Sequence, residues 1–291
     1  MENFFETIRD VLQFNKFQLE ELLFVEYTCP LGEEEFGIWS QRDYIIHVLS
    51  GKKSWRTLNG VLTAHAGDTV YVKKGGAFVT QYFEEDFCML GFFLTDDFIR
   101  NTVSDVKSKV QLTTIDERED FQLLCIPNTT VLTSYFQTML YYFEAGVNPI
   151  NTLLELKFKE LLINIITNGE TPQLTQHFLE LADQQKPSIA HIMEHNYCYN
   201  LSLEEFAKMC HRSLSSFKRD FKKTFNTTPG KWLLAKRLEH AAILLHNEEA
   251  NITQVAFECG FEDSSHFSRA FKERFGESPL YYRKRIARSA P

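Results

Sequence analysis

The sequence predicts an α+β protein in two parts. The first is a set of short strands forming a small barrel or sandwich with helices after it, and the second is an all-α domain of two helix-turn-helix units joined by a linker helix. Three observations predict this. Short β-branched or aromatic runs broken by glycines fill residues from about 20 to 100. The apolar period then changes from strand-like to helical. The last hundred residues or so contain the same pattern twice, about fifty residues apart. A length of 291 residues suits about two domains.

The strand segments are YIIHVLSG, SWRTLNGVLTA, DTVYVKKGG and FVTQYF, with turns at Gly51, Gly60, Gly67-Asp68 and Gly75-Gly76. Strands in such close succession favour a small barrel or sandwich. After Asp96, SYFQTMLYYFEAG and NTLLELKFKELLINIITNG carry apolar residues at helical spacing and predict helices over about 132–145 and 151–167. Each ends at a glycine, Gly146 or Gly169, suited to a left-handed C-cap, and Asn151 or Thr152 can cap the start of the second. That second helix has apolar residues from Leu153 to Ile166 in a stripe broader than one barrel face needs. It packs either on its own barrel or against a second copy. GETPQLTQHFLELADQQKPS, with two prolines and many polar residues, reads as a linker and divides the chain into 1–170, 171–187 and 188–291.

Hydrophobic residues at 44% and charged residues at 24% suit a globular chain able to bury a core. No apolar run approaches the roughly 18 residues of a membrane span. The start, MENFFETIRDVLQFN, carries acids and no basic n-region, so it does not read as a secretory signal. Six scattered cysteines (Cys29, Cys88, Cys125, Cys198, Cys210 and Cys259) spell neither a zinc site nor a CxxC pair, and read as free thiols of a reducing cytosol. The net charge of −8 hides an asymmetry: residues 1–186 carry 15 Lys and Arg against 27 Asp and Glu, whereas residues 187–291 carry 16 against 12. A basic second part suggests a polyanionic partner there.

The repeat sharpens that suggestion. Phe217, Phe221, Phe225, Pro229 and Trp232 match Phe267, Phe271, Phe275, Pro279 and Tyr282 at an offset of fifty, and Arg219 and Lys222 match Arg269 and Lys272. Before the turn the offset is forty-nine, pairing Phe206, Ala207 and Cys210 with Val255, Ala256 and Cys259. Each copy reads as a short helix, a tight turn and a longer helix with a phenylalanine stripe inside. Ser202 and Glu205 form a capping-box pattern, Ser213 caps the longer helix of the first copy, and Asp263 or Ser264 caps that of the second. KWLLAKRLEHAAILLH, residues 231–246, is a helix holding the copies apart. The outer faces show Ser215, Lys218, Arg219 and Lys222 in one copy, and Ser265, His266, Ser268, Arg269 and Lys272 in the other. Small polar residues with a few cations suit a helix seated in a major groove, where it meets base edges and phosphates.

This segment resembles the DNA-binding domain of AraC/XylS-type bacterial transcription regulators. The residues that carry the resemblance are Ala207, Ser213, Phe217, Arg219, Phe221 and Lys222, then Arg237, Leu238, Ala241, Leu244 and Leu245, then the run from Ile252 to Arg283. The resemblance implies that the two recognition helices enter two successive major grooves of double-stranded DNA. By it, Ser215, Lys218 and Arg219 probe bases in one groove. Ser264, Ser265, His266, Ser268 and Arg269 do so in the other or touch its backbone, while Lys222 and Lys272 meet phosphates. The first copy, with Lys218 beside Arg219, is expected to hold DNA harder than the second, with Ser268 beside Arg269. His211 stands where the family often has glycine, so the first turn is expected to be strained or differently shaped.

HVLSGKKSWRTLNGVLTAHAGDTVYVKKGGAFVTQYF is similar to the cupin-like β-barrel that commonly precedes this domain, most tellingly at Ala66, Gly67, Asp68, Tyr71, Val72 and Gly75. His47 and His65 are isolated rather than paired as HxH, so no metal and no cofactor is expected. Trp39, Tyr44, Trp55, Tyr71, Phe78, Tyr82, Phe83 and Phe87 either line a pocket for a small-molecule effector or fill the barrel. A regulatory protein is the other possible input. By resemblance the protein is a cytoplasmic activator acting at the bacterial nucleoid with RNA polymerase, and a homodimer through helices 132–145 and 151–167. The competing reading is a cupin-type binder or enzyme with a helical interaction tail, and the lack of a metal-ligand set or a nucleophile–base constellation disfavours it.

Overall fold

The computed structural model describes residues 1–29, 34–109, 120–183, 186–247 and 250–289. The chain forms two compact units, residues 2–186 and residues 187–291.

The first unit begins with β1 (Glu2–Asn3), α1 (Phe4–Asp10), β2 (Asn15–Leu19), β3 (Leu22–Thr28) and β4 (Glu35–Ser40). The four strand segments read from the sequence follow as β5 (Asp43–Ser50), β6 (Lys52–Thr57) with β7 (Gly60–His65), β8 (Thr69–Val72) and β9 (Gly75–Gln81). Then come β10 (Cys88–Leu94), α2 (Asp96–Val106), β11 (Leu123–Ile126), α3 (Thr130–Glu144), α4 (Asn151–Thr167) and α5 (Pro172–Asp183). The strands make two sheets, ordered β1-β4-β9-β6-β7 and β11-β8-β5-β10-β3-β2, and not a closed barrel. Of the two architectures the strand spacing allowed, the sandwich is the one formed.

The six-stranded sheet is the middle of three layers. Leu23, Val25, Ile46, Val48, Val70, Met89 and Phe93 face the other sheet, where they meet Ile38, Trp55, Ala77 and Val79. Alternate residues on the same strands, Leu22, Phe24, Ile45, Tyr71, Leu90 and Phe92, face helices α2 to α5. A strand covered on both sides must be apolar at nearly every position, as LLFVEYT and CMLGFFL are. The second face also accounts for the broad stripe of α4, since Leu154, Phe158, Leu161, Leu162, Ile165 and Ile166 are all buried in this layer.

Two local expectations need correction. Helix α4 is not capped by Asn151 or Thr152: its N-cap is Ile150, with no side-chain bond. The stretch read as a linker from residue 171 is mostly α5, which buries Leu174, Phe178 and Leu179 in the helical layer. Its two prolines misled because Pro172 occupies the helix start, where a missing N–H costs nothing, while Pro187 lies beyond the helix end.

The eight aromatic residues split by role. Trp39, Tyr44, Trp55, Tyr71 and Phe87 are buried, Phe78 and Tyr82 are half-buried, and Phe83 is exposed. A small apolar pocket lies elsewhere, lined chiefly by Phe4, Ile8, Val11, Phe14, Phe36 and Ile38. His47 stacks on Phe136 at 4.1 Å with Nδ1 2.9 Å from Thr69 Oγ1, and burial pushes its pKa down to about 4. His65 is exposed.

The second unit contains α6 (Ile189–Asn196), α7 (Leu203–Met209), α8 (Leu214–Phe225), α9 (Pro229–Leu244), α10 (Ile252–Glu258), α11 (Ser264–Phe275) and α12 (Pro279–Ser289). Among the described residues it has no strand, and no helix of either unit is long and apolar enough to cross a membrane.

Candidate nucleic-acid interface

Each half of the second unit is set up by local chemistry. Ser202 and Glu205 complete a reciprocal capping box at the start of α7. Cys210 ends that helix, His211 turns the chain with φ of 50°, and Ser213 caps α8 by accepting from Ser216 N. In the other half Asn251 caps α10, Gly260 turns with φ of 80°, and Asp263 caps α11 by accepting from both Ser265 N and His266 N. The first turn therefore adopts the left-handed geometry expected of a glycine despite carrying a histidine, a conformation costing roughly 1–2 kcal/mol.

The two longer helices then bury the same positions. Phe217 and Phe221 are fully buried, as are Phe267 and Phe271, while Phe225 and Phe275 are half-buried. Phe225 stacks on Phe221 with centroids 4.5 Å apart and Trp232 meets Phe221 edge-on at 5.9 Å. Phe275 lies 4.4 Å from Phe271, with Tyr282 edge-on at 5.3 Å. Fixing one stripe inside turns the opposite stripe outward. Ser215, Lys218, Arg219 and Lys222 are exposed on α8, and Ser265, His266, Arg269 and Lys272 are exposed on α11. Ser264 and Ser268 are half-buried, so at that register α11 offers less than Lys218 offers on α8.

One participant escaped the sequence reading. Asp220 accepts from Arg219 Nε at 3.4 Å, from Arg212 Nε at 3.4 Å and from Ser216 Oγ at 3.3 Å, and Arg219 also donates to Ser216 Oγ at 3.2 Å. Desolvation opposes ionisation of Asp220, but the bond and charge of Arg219 lead a set of favourable contacts that hold its carboxyl below its ordinary value. Arg212 in turn donates to the carbonyls of Pro187 and Cys210. At the equivalent place on α11 stands Ala270, so Arg269 has no such acid. A single acid within the cationic run KRDFKK was the signal available for it. Asp263 is also held below its ordinary value, chiefly by the N–H groups of Ser265 and His266.

Residues 43–177 match the ExsA N-terminal regulatory domain family, and residues 206–285 match the helix-turn-helix domain family. The virulence regulon transcriptional activator VirF of Yersinia enterocolitica is 22% identical over 259 residues, covering 89% of this chain and 94% of its own. The HTH-type transcriptional regulator ExsA of Pseudomonas aeruginosa is 28% identical over 124 residues, covering 43% of this chain and 45% of its own. Among solved structures, ToxT from Vibrio cholerae aligns over 91% of this chain and 98% of its own at 14% identity, with a TM-score of 0.39. With a regulatory domain of that kind in front of a twice-repeated helix-turn-helix whose polar faces are both turned outward, this chain belongs to the AraC/XylS family of DNA-binding transcription regulators.

Proposed function

We propose that the chain is a transcriptional activator that reads a two-box site, with α8 in one major groove and α11 in the next. The observation that carries this reading is the coincidence of buried and exposed positions on two helices fifty residues apart. In this reading Ser215, Lys218 and Arg219 address bases in the first groove. Ser264, Ser265, His266, Ser268 and Arg269 address the second, with the half-buried Ser264 and Ser268 acting at its edge. Lys222 and Lys272, one turn further along each helix, neutralise phosphates. Selection of bound duplexes from a random pool by the full-length protein tests it: two boxes about one helical turn apart are expected. A single box would leave one of the two helices without a role.

Within that site Arg219 is the sequence reader. A bidentate arginine–guanine contact is worth about 1–3 kcal/mol of discrimination, and Asp220 with Ser216 holds the guanidinium ready. Arg219→Ala is expected to flatten base preference at one position of the first box, whereas Lys222→Ala weakens all sequences alike and lowers the salt slope by roughly 1. Unchanged selectivity in Arg219→Ala would reject this assignment.

The first unit receives the signal, as an effector small molecule or as a regulatory protein, and RNA polymerase is the downstream partner. It also carries the dimer face. Although α4 spends its stripe inside its own unit, Val131, Tyr141, Val147, Ile150 and Leu156 remain exposed along α3, α4 and their connection. VirF's name describes an activator, which favours that output for this chain at the bacterial nucleoid. Light scattering at micromolar concentration, with and without DNA, is expected to show a homodimer in at least one condition.

A further inference from the structure

Helix α9 belongs to both halves of the DNA-binding unit. Its start packs on the first half through Trp232 against Phe221 and Phe225, and its end supplies Leu238, Ala241 and Ala242, with the C-cap residue Leu245, to the core of the second. Arg237 sits between these ends, and burial lowers its pKa from the ordinary value. The residue is half-buried, and its guanidinium is held on backbone carbonyls. It donates from Nε to Tyr197 O and from a terminal nitrogen to Tyr199 O, both at 2.7 Å. Those carbonyls follow α6, which packs on α7 and α8 of the first half.

The turn of the second half closes on the same place. A Cβ built on Gly260 would lie 2.7 Å from Cys198 O and 3.1 Å from the Arg237 guanidinium carbon. The second turn therefore needs glycine both for its φ of 80° and for this close approach. The first turn needs it only for φ, since His211 is exposed, which is why a histidine is tolerated in one copy and not in the other.

We propose that Arg237, with Gly260 seated against it, is a brace that fixes the separation and angle between α8 and α11 and thereby sets the spacing of the two DNA boxes. Two bonds from one planar guanidinium hold residues 197–199 to α9 in a single orientation, as a flexible ammonium would not. The turn leading into α11 rests directly on that joint. Arg237 is thus a positioning residue for sequence recognition: it touches no base, but it determines where the second reading helix lies once the first is seated. The inference rests on the two-groove reading above.

The test uses the full-length protein, a duplex bearing both selected boxes, duplexes with one to five base pairs inserted between them, and a duplex with the first box alone. The wild type is expected to lose about 100-fold in affinity as insertions rotate the second box out of reach, a factor equal to about 2.7 kcal/mol. Arg237→Met is expected to bind the native spacing about 10-fold more weakly, to respond less than about threefold to insertions, and to keep its affinity for the single box. Arg237→Lys, able to reach one carbonyl, is expected to fall between them and serves in place of Arg237→Met should that variant not fold. A spacing profile in either variant as steep as that of the wild type overturns the brace. A wild-type profile that is itself flat overturns the two-groove reading, and the brace with it.

Discussion

Replacing Phe271 by alanine is expected to lower the unfolding free energy of the DNA-binding unit by about 3–5 kcal/mol. The ring is fully buried and makes contact with three others: Phe267 at 5.5 Å, Phe275 at 4.4 Å and Tyr282 at 5.3 Å. Ring pairs of this geometry add about 0.5–1.5 kcal/mol beyond the area they bury, and the backbone around a cavity of that size relaxes only in part. A domain's whole stability is about 5–15 kcal/mol, so the loss is a large share of it. The same substitution leaves every polar group on the outer face of α11 unchanged. Urea unfolding is expected to show the lost stability. DNA binding near the midpoint of the variant should fall for both boxes, because α9 joins the two halves into one folding unit. Loss confined to the second box would instead mean that the halves melt separately.

That core was readable in the sequence because everything that defines it is local. Caps, turn residues and the four-residue phenylalanine spacing all lie within one helical hairpin, and the repeat displays each of them twice. The sandwich was readable only as strands. Their assignment to two sheets depends on pairings across long separations, such as β11 with β8 and β1 with β4, which no local pattern encodes. Helix α5 was hidden by Pro172 and by polar residues that face outward. The reading faces were legible as composition, since small polar residues and cations on one stripe have few other uses. Asp220 and Arg237 were not legible as participants. The importance of Asp220 depends on the side-chain geometry of Arg219 and Ser216, and that of Arg237 on backbone carbonyls and on a turn twenty-three residues away, at Gly260.

A buried charge network in the first unit was invisible for a related reason, since charged residues in short strands and at helix starts are ordinarily taken as exposed. Lys74 is paired with both carboxylate oxygens of Asp96, and all of these groups are buried. Asp43, also fully buried, accepts from Tyr71 Oη and Lys74 N, with His177 Nε2 of α5 at 3.5 Å. Burial by itself would raise the Asp43 pKa, but His177, Lys74 and Tyr71 together hold its carboxyl well below the ordinary range. Lys74→Met is therefore expected to cost about 3–5 kcal/mol at neutral pH, because it strands one buried carboxylate and weakens the support of another. The sign with pH follows. A depressed carboxyl stabilises the fold above its unfolded pKa of about 3.9, and that contribution is lost as pH falls through the folded value. Wild type and variant should thus differ most near pH 7, and the difference should shrink as acid removes the contribution of Asp43. The double change Lys74→Met with Asp96→Leu should recover much of the loss at pH 7, since removing both charges avoids an unpaired one. Urea unfolding of the two variants across pH 3–7 measures this, and a difference between wild type and Lys74→Met that stayed constant down to pH 3 would show that the loss is one of packing and not of charge.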